Sequence, residues 1–167
     1  MNDMTESETI AEAWGLTRLR ELTQRNNPDD APAFFRTMQF GGTISYRTVE
    51  TGRLGFAWTP QEAVTHPDGG VQGGVVVVVA DFAQAFVTLS LLEEHLPRST
   101  VDFDVRYFLL IRSGEPVLVD SVAINRSNRN TTIETTFTRE RDGRLLAKVT
   151  GGWVIAPGRS FQTKTGA

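Results

Sequence analysis

The chain has 167 residues, 40% of them apolar and 22% charged, with a formal charge of −3. That length suits one domain with a sizeable core, and the acidic balance argues against a nucleic-acid surface. Zero cysteines exclude a disulfide framework, a thiolate metal site and a cysteine nucleophile, and two histidines, His66 and His95, leave too few ligands for a histidine-rich metal centre.

The first residues, Met1 to Glu6, are acidic and no apolar segment of signal-peptide type follows, so the cytoplasm is the expected location. Residues 5–25 read as an amphipathic helix. Thr5 and Glu8 have capping-box spacing, and Ile10, Trp14 and Leu22 mark its apolar stripe. Asn26-Asn27-Pro28 breaks it, and residues 31–40 read as a short second helix. From Thr43 the period becomes two: Ile44 and Tyr46, then Leu54, Phe56 and Trp58, flank a hairpin turn at Glu50-Thr51-Gly52-Arg53.

Residues 61–74 form a polar loop ending in two glycine pairs. Five valines at 75–79 favour a strand by β-branching. Yet the apolar pattern runs on through Phe82, Phe86, Leu89 and Leu92 without a turn, too long for a strand. Residues 75–96 are therefore read as a buried helix stopped by Pro97. The longest apolar run within it, 75–80, is too short to span a bilayer, so no membrane partner is expected.

Everything beyond reads as β. Val101, Phe103, Val105 and Tyr107 alternate with Thr100, Asp102, Asp104 and Arg106. Residues 112–115 turn, 117–124 form a strand, Ile133 and Phe137 mark another, and Asp142-Gly143 turns into a last strand at 145–155. The tail from Pro157 is polar. The order β-β-α-β-β-β-β predicts an α+β fold in which an antiparallel six-stranded sheet curls around one long helix. Such a sheet keeps two edges, and pairing them between two chains would remove one.

Two features carry chemistry. A glycine pair opening a helix exposes N–H groups without intrahelical partners at the positive end of the dipole, and Gly73 leaves room for a carbonyl oxygen. That is an oxyanion site, or equally a tight loop-to-helix junction. Asp81 stands inside an apolar stretch, where a carboxylate is costly unless paired or functional. It suits a general base for water or a nucleophile, or else a structural hydrogen bond.

His66-Pro67-Asp68-Gly69-Gly70-Val71-Gln72-Gly73-Gly74 followed by Asp81 resembles the phenylacetyl-CoA thioesterase branch of the hot-dog superfamily. That branch reads Asn-x-x-Gly-x-x-His-Gly-Gly, with a carboxylate seven residues later. Thr100-Val101-Asp102-Phe103 and the Asp142–Ala147 hairpin fit the same pattern. The resemblance covers residues 41–156, leaving residues 1–40 as a helical extension and 157–167 as a tail. It implies hydrolysis of an acyl-CoA thioester with no cofactor beyond the substrate's coenzyme A and no metal, in a homodimer or a dimer-of-dimers tetramer. It places Thr100 beside the reacting centre and Arg126 and Arg129, in a turn at 125–130, near the coenzyme A phosphates. Gly74 is expected to line the substrate, and His66 either contacts it or caps the loop. Gln72 stands for the family histidine and His66 for the asparagine. A glutamine amide can donate to a thioester carbonyl but cannot shuttle a proton, which keeps open a non-catalytic acyl-CoA-binding protein. Enoyl-CoA hydration fits less well, because no histidine follows Asp81 within two helical turns.

Overall fold

A computed structural model describes residues 13–25, 33 and 44–156. The elements are helix α1 (Trp14–Arg25), strands β1 (Ile44–Glu50) and β2 (Arg53–Trp58), helix α2 (Gly73–Ser90), and strands β3 (Arg98–Tyr107), β4 (Val117–Arg126), β5 (Asn130–Arg139) and β6 (Leu145–Ile155). The start of the first helix with Thr5, Glu8 and Ile10, the second helix at 31–40, Thr43 and the tail at 157–167 lie outside the described residues.

The six strands form one antiparallel sheet in the order β1-β2-β4-β5-β6-β3, so β1 and β3 are its edges. Its turns close where glycine supplies a positive φ, 75° at Gly52 and 70° at Gly143. The chain leaves β2, crosses the sheet as α2 and returns at the far edge as β3, which makes α2 the axis of the core. Val75, Val76, Val79, Ala80, Ala83 and Val87 of α2 are buried. Leu54, Phe56, Trp58, Val119, Ile133, Phe137, Val149 and Trp153 from the strands share their core. Burying a valine is worth about 1.5–3 kcal/mol, against at most about 0.7 kcal/mol of helix propensity, so packing decides for helix.

Four expectations need correction. On α1 the buried face is Gly15, Leu16, Leu19 and Thr23, whereas Trp14 is exposed and Leu22 half-buried. The cause is tertiary: the Gly15 N–H donates to the Leu92 carbonyl at 2.9 Å, and a Cβ at Gly15 would stand 1.9 Å from the Leu89 carbonyl oxygen. Second, α2 ends at Ser90 rather than 96. Its last carbonyls and polar side chains find partners outside the helix: Arg126 Nη2 donates to Leu91 O at 2.9 Å, and the Gly52 N–H donates to Ser90 Oγ at 2.9 Å. These partners stand far along the chain and end the helix before Pro97 does.

Third, the alternation in β3 breaks. The β3–β6 register shifts between Thr100 and Asp102, leaving Val101 as the extra residue of a bulge. Val101 is 63% exposed and Tyr107 is exposed too, while Thr100 joins Phe103 and Val105 in facing inward, half-buried. Fourth, Arg126 closes β4 rather than lying in the following turn. By length and composition α2, unlike the 75–80 run alone, would cross a membrane. Here it is the core helix, and its buried Gln84, Thr88 and Ser90 are all hydrogen-bonded.

Candidate functional site

The loop before α2 is braced along its length. Val64 closes a single 3-10 turn (Glu62–Val64) and accepts the Gln72 N–H at 3.1 Å. Thr65 bridges Val71 and Gly70 bridges Arg112. The His66 N–H donates to Gly70 O at 2.8 Å, Asp68 Oδ1 accepts the Gly70 N–H at 3.1 Å, and Gly69 takes φ 79° in that turn. His66 therefore shapes the loop through its backbone while its ring is exposed.

The loop delivers the chain to α2 at Gln72, whose extended backbone caps the helix without any side-chain bond. The Val75 N–H turns back to Gln72 O at 2.9 Å, and among the described residues no acceptor faces the amides of Gly73 and Gly74. The two glycines then differ. A Cβ at Gly74 would meet open space, whereas one at Gly73 would meet the Tyr107 hydroxyl at 3.0 Å. That hydroxyl donates to the Gly73 carbonyl at 2.7 Å. Burial pushes the Tyr107 phenol above its ordinary range. Because Gly73 O and the Gly74 N–H belong to one peptide unit, this bond polarises the Gly74 amide. The sequence reading missed Tyr107 as a site residue: alternation places it on the same phase as Phe103 and Val105, but only the closed sheet sets it against the start of α2. Beside it a cleft of about 320 Å³ is lined by Val71, Gly73, Val76, Leu109 and Ile111.

Two turns along α2, Asp81 is half-buried, and its Oδ1 accepts a hydrogen bond from Thr100 Oγ1 at 2.8 Å. The bulge puts Thr100 on the inner face, and the Asp102 carboxylate, accepting the Gly152 N–H at 3.0 Å, holds that bulge. The structure thus brings Asp81 and Thr100 together within one chain. It does not bring Asp81 to Gly73: eight residues at ~1.5 Å rise separate their backbones by ~12 Å along the axis.

Arg126 and Arg129 lie at the other end of the helix. Arg126 lines a polar groove of about 460 Å³ with Glu93, Glu94, Ser127 and Asn128. Arg129 is exposed, and its carbonyl accepts the Ile155 N–H at 2.8 Å. Leu91, where Arg126 is bound, stands 18 residues or ~27 Å along the axis from Gly73, so within one chain these arginines are remote from the free amides. His95 is exposed beyond the helix, edge-on to Trp14 at 5.8 Å between ring centroids. Among the described residues no group of three or more His, Asp or Glu stands together as a metal site.

No protein-family model matches the chain, and no curated protein does so either. Solved structures do match. Zebra fish thioesterase superfamily member 2 superposes with a TM-score of 0.72 at 17% identity, over 84% of this chain and 98% of that one. The E. coli PaaI protein from the phenylacetic acid degradation operon gives 0.70 at 11%, over 89% and 98%. The smu.793 protein of Streptococcus mutans UA159, solved bound to acetyl CoA, gives 0.63 at 16%, over 70% and 91%. With its six-stranded antiparallel sheet around one long helix, the chain has the hot-dog fold of the thioesterase superfamily structures.

Proposed function

We propose that the chain is a subunit of a cytoplasmic acyl-CoA thioesterase, a homodimer or a tetramer built from dimers, that needs no cofactor beyond the coenzyme A of its substrate. The observation that carries this reading is the 2.8 Å bond from Thr100 to Asp81, on a helix whose first two amides are free. Thr100 gives its only proton to Asp81 Oδ1, so its oxygen is left to accept. A water can donate one hydrogen to Thr100 Oγ1 and the other to Asp81 Oδ2, which aims its lone pair outward. The water oxygen attacks the thioester carbonyl carbon and its proton passes to Asp81. The oxyanion is held by the Gly73 and Gly74 amides at a helix N-terminus, with Tyr107 strengthening the second. Collapse breaks the C–S bond, and the proton on Asp81 goes to the leaving thiolate, giving the free acid and coenzyme A.

Since ~12 Å separates Gly73 from Asp81 on one helix, the amides and the carboxylate of one site belong to two chains. The exposed edge of β3, with Val101 and Tyr107, is where a second copy would pair. Gln72 donates its amide to the thioester carbonyl, His66 and Gly74 line the substrate, and Arg126 and Arg129 meet the coenzyme A phosphates, the last as the resemblance implies. The acetyl CoA bound in the S. mutans structure is a ligand of this chemical class.

Thiol release from a panel of acyl-CoAs tests the reading. Asp81→Asn is expected to lower kcat by about two orders of magnitude or more, and Gln72→Ala by about tenfold, roughly one hydrogen bond. Wild-type protein that binds acyl-CoA yet releases no thiol from any of them would leave only the non-catalytic reading, which Gln72, unable to shuttle a proton, favours.

A further inference from the structure

Helix α2 is apolar on nearly every side, so burial alone fixes its rotation about its own axis only weakly. Rotation matters, because Asp81 reaches Thr100 through one hydrogen bond. With its side-chain tip ~6 Å from the helix axis, a turn of ~30° would carry the carboxylate ~3 Å and break the contact.

One buried side chain resists that turn. Gln84, three residues after Asp81, is fully buried. Its Nε2 donates to Thr135 Oγ1 at 3.1 Å and to Val149 O at 3.4 Å, and its Oε1 accepts from Trp153 Nε1 at 2.9 Å. Thr135 is bonded in turn to Ser121 at 2.7 Å. The indole N–H is donor only, so the direction of the amide is set. Misplacing it would strand buried polar groups, at a cost no sliding of valines incurs. Trp153 is also the residue directly opposite Thr100 in the β3–β6 ladder. The side chain that grips Gln84 therefore stands across from the partner of Asp81.

Two adjacent glycines of β6 make room for this. A Cβ at Gly151 would lie 2.1 Å from Gln84 Oε1, and one at Gly152 would lie 2.8 Å from Asp102 Oδ1. Gly151 admits the anchor of the helix on the inner face, and Gly152 admits the anchor of the bulge on the outer face.

We infer that Gln84, held by Trp153, is a positioning residue that sets the rotation of α2 and so keeps Asp81 on Thr100. Its effect on catalysis rests on the thioesterase reading; its effect on geometry does not. Three variants test it: Gln84→Met, which keeps length and burial; Trp153→Phe, which removes the indole donor and trims the ring; and Phe137→Leu, a core change two residues along β5 from Thr135 that removes none of the anchor's hydrogen bonds. In the first two, crystal structures are expected to show Thr100 Oγ1 and Asp81 Oδ1 beyond about 3.5 Å. Their kcat is expected to fall about tenfold or more with KM within about twofold, the signature of a misplaced group. Phe137→Leu should lose thermal stability while keeping both the contact and kcat. The contact intact in Gln84→Met and Trp153→Phe, or lost equally in Phe137→Leu, overturns the inference. Should Gln84→Met not fold, Trp153→Phe decides. An opened contact with unchanged thiol release would support the positioning role and sink the catalytic role of the pair instead.

Discussion

Mixing two inactive variants tests whether each site is built from two chains. Asp81→Asn removes the base without changing side-chain size. Gly73→Val adds three carbons, the first of which already meets the Tyr107 hydroxyl at 3.0 Å, so the valine crowds the free amides. In a homodimer of either variant both sites lack one component. In a mixed dimer one site draws Gly73 from one chain and Asp81 from the other, both intact, while its counterpart lacks both. Equal mixing with free exchange makes about half of the dimers mixed, each with one working site, so about a quarter of wild-type activity should return. The assay is thiol release on the best acyl-CoA before and after exchange, with folding of each variant verified by circular dichroism and exchange verified by mass-tagged chains. A site contained in one chain predicts no recovery. Activity that stays at the level of the separate variants, with exchange demonstrated, would refute the ~12 Å argument and the dimer built on it.

Three further outcomes follow from the geometry. Thr100→Val removes a hydrogen bond to a carboxylate, worth about 1.5–3 kcal/mol, so the melting temperature should fall measurably and kcat about tenfold to a hundredfold; unchanged turnover would remove Thr100 from the water-holding role. Gly15→Ala drives a Cβ to within 1.9 Å of the Leu89 carbonyl oxygen, backbone against backbone. It should cost about 1–3 kcal/mol and speed amide exchange across α1, and unaltered exchange at Leu16 and Leu19 would contradict the docking. Burial pushes the Tyr46 phenol up to about 12, against 10.0 for an ordinary tyrosine. The unfolded chain releases that proton first, so stability should hold below pH 10 and drain away between pH 10 and about 12. With two tyrosines in the chain, absorbance at 295 nm should lose its later step in Tyr46→Phe.

Much of the architecture was legible in order and period. The strands around Phe56, Ile133 and Phe137, the turns at Gly52, Gly114 and Gly143, and the helix between β2 and β3 all stand where the pattern placed them. Period and turn chemistry are local, so local sequence suffices to state them. Asp81 was conspicuous for the same reason, as a charge in an apolar run, and the glycine pair because helix openings need no distant partner to leave amides free.

What sequence could not state depends on atoms far apart in the chain. Nothing near residue 90 says that α2 stops there; Gly15, Gly52 and Arg126 end it from elsewhere. Strict alternation placed Val101 inward and Thr100 outward, and a bulge held by Asp102 and Gly152 inverts both. That single extra residue decides whether Thr100 meets Asp81. Nothing in the sequence singles out Gln84. Only the closed sheet supplies Thr135, Val149 and Trp153, lying 51 to 69 positions later, as its partners. The sequence determined which elements form and where charge and bare backbone stand; tertiary pairing decided which way each face turns, because rotation of an apolar helix and the phase of a bulged strand are set by contacts across the core.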